Sequence, residues 1–175
     1  MRIGILIILG LGTLGATTLQ QLSLDQMIQD STSIVSGKVV GSTSVMRGSM
    51  VFTKYHIRVT DQWKGNTGSE TDVFVPGGKV GSITQTYPGS PTLGEGQDYV
   101  LFLWTSRTGL TQVIGLSQGL FTMMRDPKGE LLLVRSASAE TMVDSSGKVV
   151  EETPVSMRMR EMVDRIQRRL AGVRQ

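Results

Sequence analysis

The chain has 175 residues, 39% apolar and 19% charged, with a net charge of +3 and no cysteine. That balance excludes a disordered chain, and the missing thiol excludes disulfides, cysteine-ligated zinc and thiol catalysis. The charge is uneven: from Met157 onward six arginines stand against Glu161 and Asp164, while the body before them is slightly acidic, so the basic character does not mark the body as a binder of nucleic acid.

Met1-Arg2 supplies a positive charge, Ile3 to Leu14 carries none, and small residues follow at Gly15, Ala16, Thr17 and Thr18. This is the order of a secretory signal, and the apolar run is shorter than the roughly 20 residues a membrane-spanning helix needs. A cleaved signal over residues 1–16 is expected, with a secreted or periplasmic destination. Membrane contact is expected only through that signal, before cleavage.

Ser23-Leu-Asp-Gln26 fits a capping box and predicts a short helix over Leu24 to Asp30. Ile34 to Met46 reads as a strand, with Gly37 and Gly41 marking a bend or bulge. Arg47-Gly-Ser49 turns into Met50 to Trp63, the clearest strand. There Val51, Thr53, Tyr55, Ile57 and Val59 form a core face, and Phe52, Lys54, His56, Arg58 and Thr60 an outer one. Thr71 to Val75 is the next strand, ended by Pro76-Gly-Gly78. Residues 79–96, with Pro88-Gly89 and Pro91, are irregular and form the candidate functional loop.

Tyr99-Val-Leu-Phe-Leu-Trp104 is apolar on both faces and predicts a strand covered on both sides. Arg107-Thr-Gly109 turns into Leu110 to Ile114. Gly119 to Arg125 and Glu130 to Arg135 form a hairpin across Asp126-Pro-Lys-Gly129. Lys148 to Glu151 reads as a last short strand. Thr153 then fits an N-cap with Pro154 at the first helical position. Val155, Met159, Met162, Val163, Ile166 and Leu170 recur at three and four residues as one helical stripe. Arg158, Arg160, Arg165 and Arg168 lie opposite, with Glu161 and Asp164 each four residues before an arginine. Strands at this spacing, without strand–helix alternation, point to a sandwich or small barrel.

Three segments carry a resemblance: Ser33-Ile-Val-Ser-Gly-Lys-Val-Val40, Tyr55-His-Ile-Arg-Val-Thr-Asp-Gln-Trp-Lys-Gly65 and Leu93-Gly-Glu-Gly-Gln-Asp-Tyr-Val-Leu-Phe-Leu103. In this order they resemble the netrin-like module of tissue inhibitors of metalloproteinases and of uncharacterised secreted bacterial proteins. The resemblance implies an OB-like barrel of five strands flanked by helices over about residues 22–125. It lends no functional residue, because those inhibitors chelate the protease zinc through an amino-terminal cysteine and this chain has none.

Candidate chemistry is sparse. His56, the only histidine, sits mid-strand between Lys54 and Arg58 with no nucleophile elbow, and reads as a surface residue. Met157, Met159 and Met162 have the residue type that selects Cu(I), but on a helix Met157 and Met159 cannot converge, and Met159 and Met162 read as core filler. Gly77-Gly78 lacks a phosphate-loop signature. No cofactor or metal is implied, and no basic–aromatic interleaving marks a nucleic-acid face.

The sequence therefore predicts a mainly β protein. Its body, residues 22–152, is a small OB-like antiparallel β-barrel with a short N-terminal helix. A C-terminal amphipathic helix over 153–172 packs on the barrel. The expected function is a secreted, non-catalytic binding module for a protein or glycan ligand. The alternative is an envelope-associated adaptor contacting an anionic surface through Arg158, Arg160, Arg165 and Arg168.

Overall fold

The computed structural model describes residues 18–138 and 140–172. The export signal expected at 1–16 lies outside the described residues. The chain runs β1 (Thr18–Gln20), α1 (Leu24–Asp30), β2 (Ser33–Arg47), β3 (Met50–Lys64), β4 (Glu70–Pro76), β5 (Gly78–Val80), β6 (Ile83–Gln85) and β7 (Asp98–Thr105). It continues through β8 (Thr111–Val113), β9 (Leu120–Arg125), β10 (Leu131–Arg135), β11 (Thr141–Val143), β12 (Val149–Val150), β13 (Val155–Arg158) and α2 (Met159–Gly172).

The main sheet is antiparallel, in the order β13-β10-β9-β7-β2-β3-β4, with β8 also on β7. A small sheet, β1-β11-β12, joins the amino-terminal strand in parallel to β11, and β5 and β6 form a separate hairpin. The body is thus mostly β with a helix at each end, as composition and turn spacing predicted. No helix among the described residues is long and apolar enough to cross a membrane.

The expected barrel does not form. The sheet is open: β13 and β4 are its outer strands, and no ladder joins β4 back to β8 or β13. The OB-like barrel over 22–152, and the netrin-like resemblance that implied it, are corrected by this topology. The reason lies on β7. Leu103 to Thr105 pair with the short β8, but Tyr99 to Leu101 pair with β9, which carries the sheet onward to β10 and β13. The edge a barrel would close on is therefore spent on an extension. The long strands still coil, and β4 packs beside β8 without hydrogen-bonded pairing. β4 ends at Pro76, which has no N–H to offer a ladder.

The coiling comes from β2, where register shifts fall between Ser36 and Gly37 and between Val39 and Gly41, as the two glycines predicted. At Gly37 the need is steric: a Cβ there would lie 2.6 Å from the Arg58 carbonyl oxygen and 2.7 Å from Ile57 Cγ2.

Two apolar clusters flank β7. One face carries Tyr99, Leu101 and Leu103 against Val35, Val39, Tyr55, Ile57, Val73 and Val75, inside the coil. The other carries Val100 and Phe102 against Phe121, Leu133, Met27 and Ile28 of α1, and Met162 and Ile166 of α2. On β3 the alternation holds at Val51, Tyr55 and Ile57, but Phe52 is buried as well, in an edge-to-face contact with Phe74 at 6.4 Å. α1 has both halves of its capping box: Gln26 N–H donates to Ser23 Oγ, and Ser23 N–H to Gln26 Oε1. At its far end Lys64 Nζ donates to the Ile28 and Gln29 carbonyls at 2.8 and 2.7 Å.

The carboxy-terminal helix begins later than expected. Thr153 is not its cap, and Val155 to Arg158 are strand β13, in register with Arg135 to Leu132 of β10. Val155 and Met157 repeat at two as readily as at four residues, and the free edge of β10 supplies partners a helical turn could not. The helix starts at Met159, where the Glu161 carboxylate accepts the Arg158 N–H at 3.2 Å.

Candidate functional site

The open seam leaves a groove. Its walls are Phe74, Val75 and Pro76 of β4, Trp104 of β7, and residues 112–116 of β8 and the turn after it, with Leu22 and Asp30 at its margin; its volume is about 450 Å³. That lies within the roughly 300–1,000 Å³ of small-molecule sites, and an apolar lining with few polar groups is their usual character.

Each wall has a local cause. Trp104 continues the face of Val100 and Phe102, but the helices do not cover it and it stays 45% exposed. Its register partner across β8 is Gln112. Leu22 is held by Gln118, a fully buried amide. Gln118 Oε1 accepts the Leu22 N–H at 2.7 Å, and its Nε2 donates to the Gln20 carbonyl at 2.9 Å. Gly115 lies between them: a Cβ there would come within 2.9 Å of both Gln118 Nε2 and Leu22 Cδ1.

The next residue, Leu116, is the one non-glycine among the described residues with a left-handed backbone (φ = 66°). For a leucine this conformation costs about 1–2 kcal/mol. It aims the chain so that Leu116 lines the groove. Asp30 is the single ionisable lining residue and Gln112 the single amide.

The chemistry of the remaining candidates is limited by geometry. His56 bridges two carboxylates of β4: Nδ1 meets Asp72 Oδ1 at 2.9 Å and Nε2 meets Glu70 Oε2 at 3.2 Å. Both ring nitrogens of His56 thus face carboxylates on opposite sides of the ring, and neither contacts a hydroxyl nucleophile among the described residues. Among the described residues no group of three His, Asp or Glu side chains could hold a metal ion. The hydrogen bond to Asp72, opposed by desolvation and helped by Glu70, raises the His56 pKa above its ordinary 6.5. Burial pushes the Asp72 carboxyl up, but hydrogen bonds from His56 and Lys54 outweigh it and hold that carboxyl low.

Of the four arginines expected as a surface contact, two are ion-paired within the chain. Arg158 pairs with Glu130 at 3.1 Å and Arg165 with Asp25 of α1 at 2.8 Å. Arg160 and Arg168 are exposed and form no ion pair among the described residues. The helical pairs expected from the four-residue spacing are replaced, at Arg165, by the tie to α1. Met157, Met159 and Met162 all pack on the core beneath the helices.

Sequence reasoning missed one buried pair. Arg135 Nη2 lies 3.1 Å from Glu152 Oε1, with the two side chains 10% and 3% exposed. Arg135 Nη1 also donates to the Gln118 carbonyl at 2.8 Å, and its guanidinium sits 5.4 Å over the Phe121 ring. Burial lowers the Arg135 pKa against the pull of Glu152. The Glu152 contact is an ion pair without hydrogen-bond alignment, and Arg135 Nε has no acceptor among the described residues. The pair anchors the segment before β13 and takes no part in the groove.

The groove was missed as well. Trp104 reads as the end of a central strand, and only its placement beyond the reach of both helices exposes it. No family model matches the chain, and no curated protein matches its sequence.

Proposed function

We propose that the chain is an exported, non-catalytic binding module that takes a compact apolar or aromatic ligand in the groove at the sheet seam. The observation that carries this is Trp104, uncovered at the end of a sealed core strand and facing a groove whose wall keeps a strained leucine at 116. Backbone strain that the surroundings maintain is a feature of ligand sites. The reading as a binder also rests on His56, whose ring nitrogens are both held by carboxylates.

The test is titration with N-phenyl-1-naphthylamine, a neutral apolar fluorophore, followed by its emission and by quenching of tryptophan. Saturable binding that falls about tenfold or more in Trp104→Ala supports the reading; absent saturation, or binding indifferent to that change, overturns it. Export is tested by fusing residues 1–21 to alkaline phosphatase, which becomes active only where disulfides form. An inactive, full-length fusion overturns that part.

A second reading is favoured by Arg160 and Arg168, two exposed cations of α2 without an ion pair among the described residues. On it, the module touches an anionic surface there. Sedimentation with vesicles containing phosphatidylglycerol, lost in Arg160→Gln/Arg168→Gln, supports it; equal sedimentation of the double variant sets it aside.

A further inference from the structure

The irregular segment after β4 builds a second cleft, which adjoins the seam groove at Val75 and Pro76 and differs from it in chemistry. At the Pro76-Gly77-Gly78 corner the chain turns with φ of 105° and 136° at the two glycines. A Cβ on Gly78 would lie 2.8 Å from Thr53 Oγ1 and 2.9 Å from Ser44 Oγ, so this corner accepts no larger residue. The β5–β6 hairpin then folds onto the β2–β3 arm. Gln85 fastens it there, accepting the Val51 N–H at 2.7 Å and donating to the Ser49 carbonyl at 2.9 Å. Between hairpin, corner and returning loop lies a cleft of about 420 Å³.

Its lining is rich in hydroxyls, with Thr84, Thr86, Ser90 and Thr92 from the loop and Tyr87 as an aromatic wall. It holds no carboxylate, and its single charge is Lys79, exposed and without an ion pair among the described residues. Ser90 Oγ is buried there with no hydrogen-bond partner among the described residues. Hydroxyls give and take hydrogen bonds with equal ease, and a tyrosine ring offers a flat apolar face with a polar tip. One lysine balances one negative charge and would leave a polyphosphate uncompensated.

We propose that this cleft binds a saccharide bearing one carboxylate, with the sugar's C–H face on Tyr87, its hydroxyls on the loop hydroxyls and its carboxylate on Lys79. The two clefts share Val75 and Pro76 but none of the side chains tested, so binding at Lys79 and Tyr87 and binding at Trp104 can fail separately.

The test is a backbone-amide NMR titration of the full chain with D-glucuronate, D-glucose and acetate. D-Glucuronate is expected to give saturable shifts at Lys79, Tyr87 and Ser90, and D-glucose to bind the same residues more weakly, by up to about fivefold, as an exposed charge pair allows. Lys79→Gln removes that preference while leaving D-glucose unchanged, and Tyr87→Ala abolishes both with the rest of the spectrum retained. Four results overturn the proposal: no saturable shift, shifts confined to the surroundings of Trp104, equal binding of both sugars in the unaltered chain, or acetate reproducing the D-glucuronate shifts. Because Lys79 is exposed, its variant tests the site even if Tyr87→Ala fails to fold.

Discussion

The two faces of β7 are closed by different means. Over Val100 and Phe102 the lid consists of separate pieces, α1 and α2, laid across the sheet from opposite ends of the chain. Over Leu101 and Leu103 there is no lid, and the sheet curls onto itself. The helices seal what they reach, and Phe102 is fully buried, but they stop short of Trp104 on the same face. A curl ends where its strands stop pairing, and at that place Trp104 and the turn at 115–116 stand around a groove. Stability should therefore concentrate under the helices and ligand binding at the seam.

Four changes probe that contrast. Phe102→Ala, under the helices, should cost about 3–5 kcal/mol in guanidinium unfolding, because a fully packed ring leaves a cavity. A loss near 1 kcal/mol would mean the helical lid is loose. Glu152→Ala should cost about 3 kcal/mol by leaving the Arg135 cation buried and unpaired, and Arg135→Met in the same chain should recover most of it. If the two losses simply add in a double-mutant cycle, the pair is not coupled.

Trp104→Ala should change stability by less than about 1 kcal/mol, as expected of a half-exposed side chain, while removing the binding of the apolar fluorophore. A large loss of melting temperature would place Trp104 in the core and erase the contrast. His56→Gln should have the smallest effect, and only across a pH window. The folded chain holds the His56 proton more tightly than the unfolded chain. Its contribution is therefore full below 6.5 and is lost as pH rises through the raised value. Asp72 runs the other way, losing its contribution as pH falls through its lowered value. Both side chains are over a third exposed, so solvent screening keeps the effect at or below about 1 kcal/mol. Melting curves at several pH values should show the slope above 6.5 in the parent and not in the variant.

Local chemistry was legible in the sequence. The Ser23/Gln26 cap, the bulge at Gly37 and the Asp126 to Gly129 turn each depend on residues close together along the chain. Asp126 Oδ1, for instance, accepts the N–H groups of Lys128 and Glu130 at 2.8 and 2.9 Å. Whether the sheet closes depends on which strand takes the far edge of β7, and nothing in β7 itself decides between β8 and β9. The same holds for Val155 to Arg158, whose pattern suits helix and strand alike until the edge of β10 is present. The left-handed backbone at Leu116 had no signal, since leucine is a residue one would not place there. In the segment after β4, the irregularity was visible and the β5–β6 hairpin within it was not.

The parallel pairing of β1 with β11 joins segments far apart along the chain. Thr18 to Gln20 find their partners only at Thr141 to Val143, and Met27 and Ile28 find Met162 and Ile166 only at the far end of the chain. Contacts of such wide separation form slowly, because the loop between them must close first. A chain ending at Arg158 would keep β13 and lose α2, uncovering the side of Met27 and Ile28 that Met162 and Ile166 cover, as a sticky surface on a paired sheet. Loss of α2 should therefore show as aggregation while far-ultraviolet circular dichroism still reports the sheet.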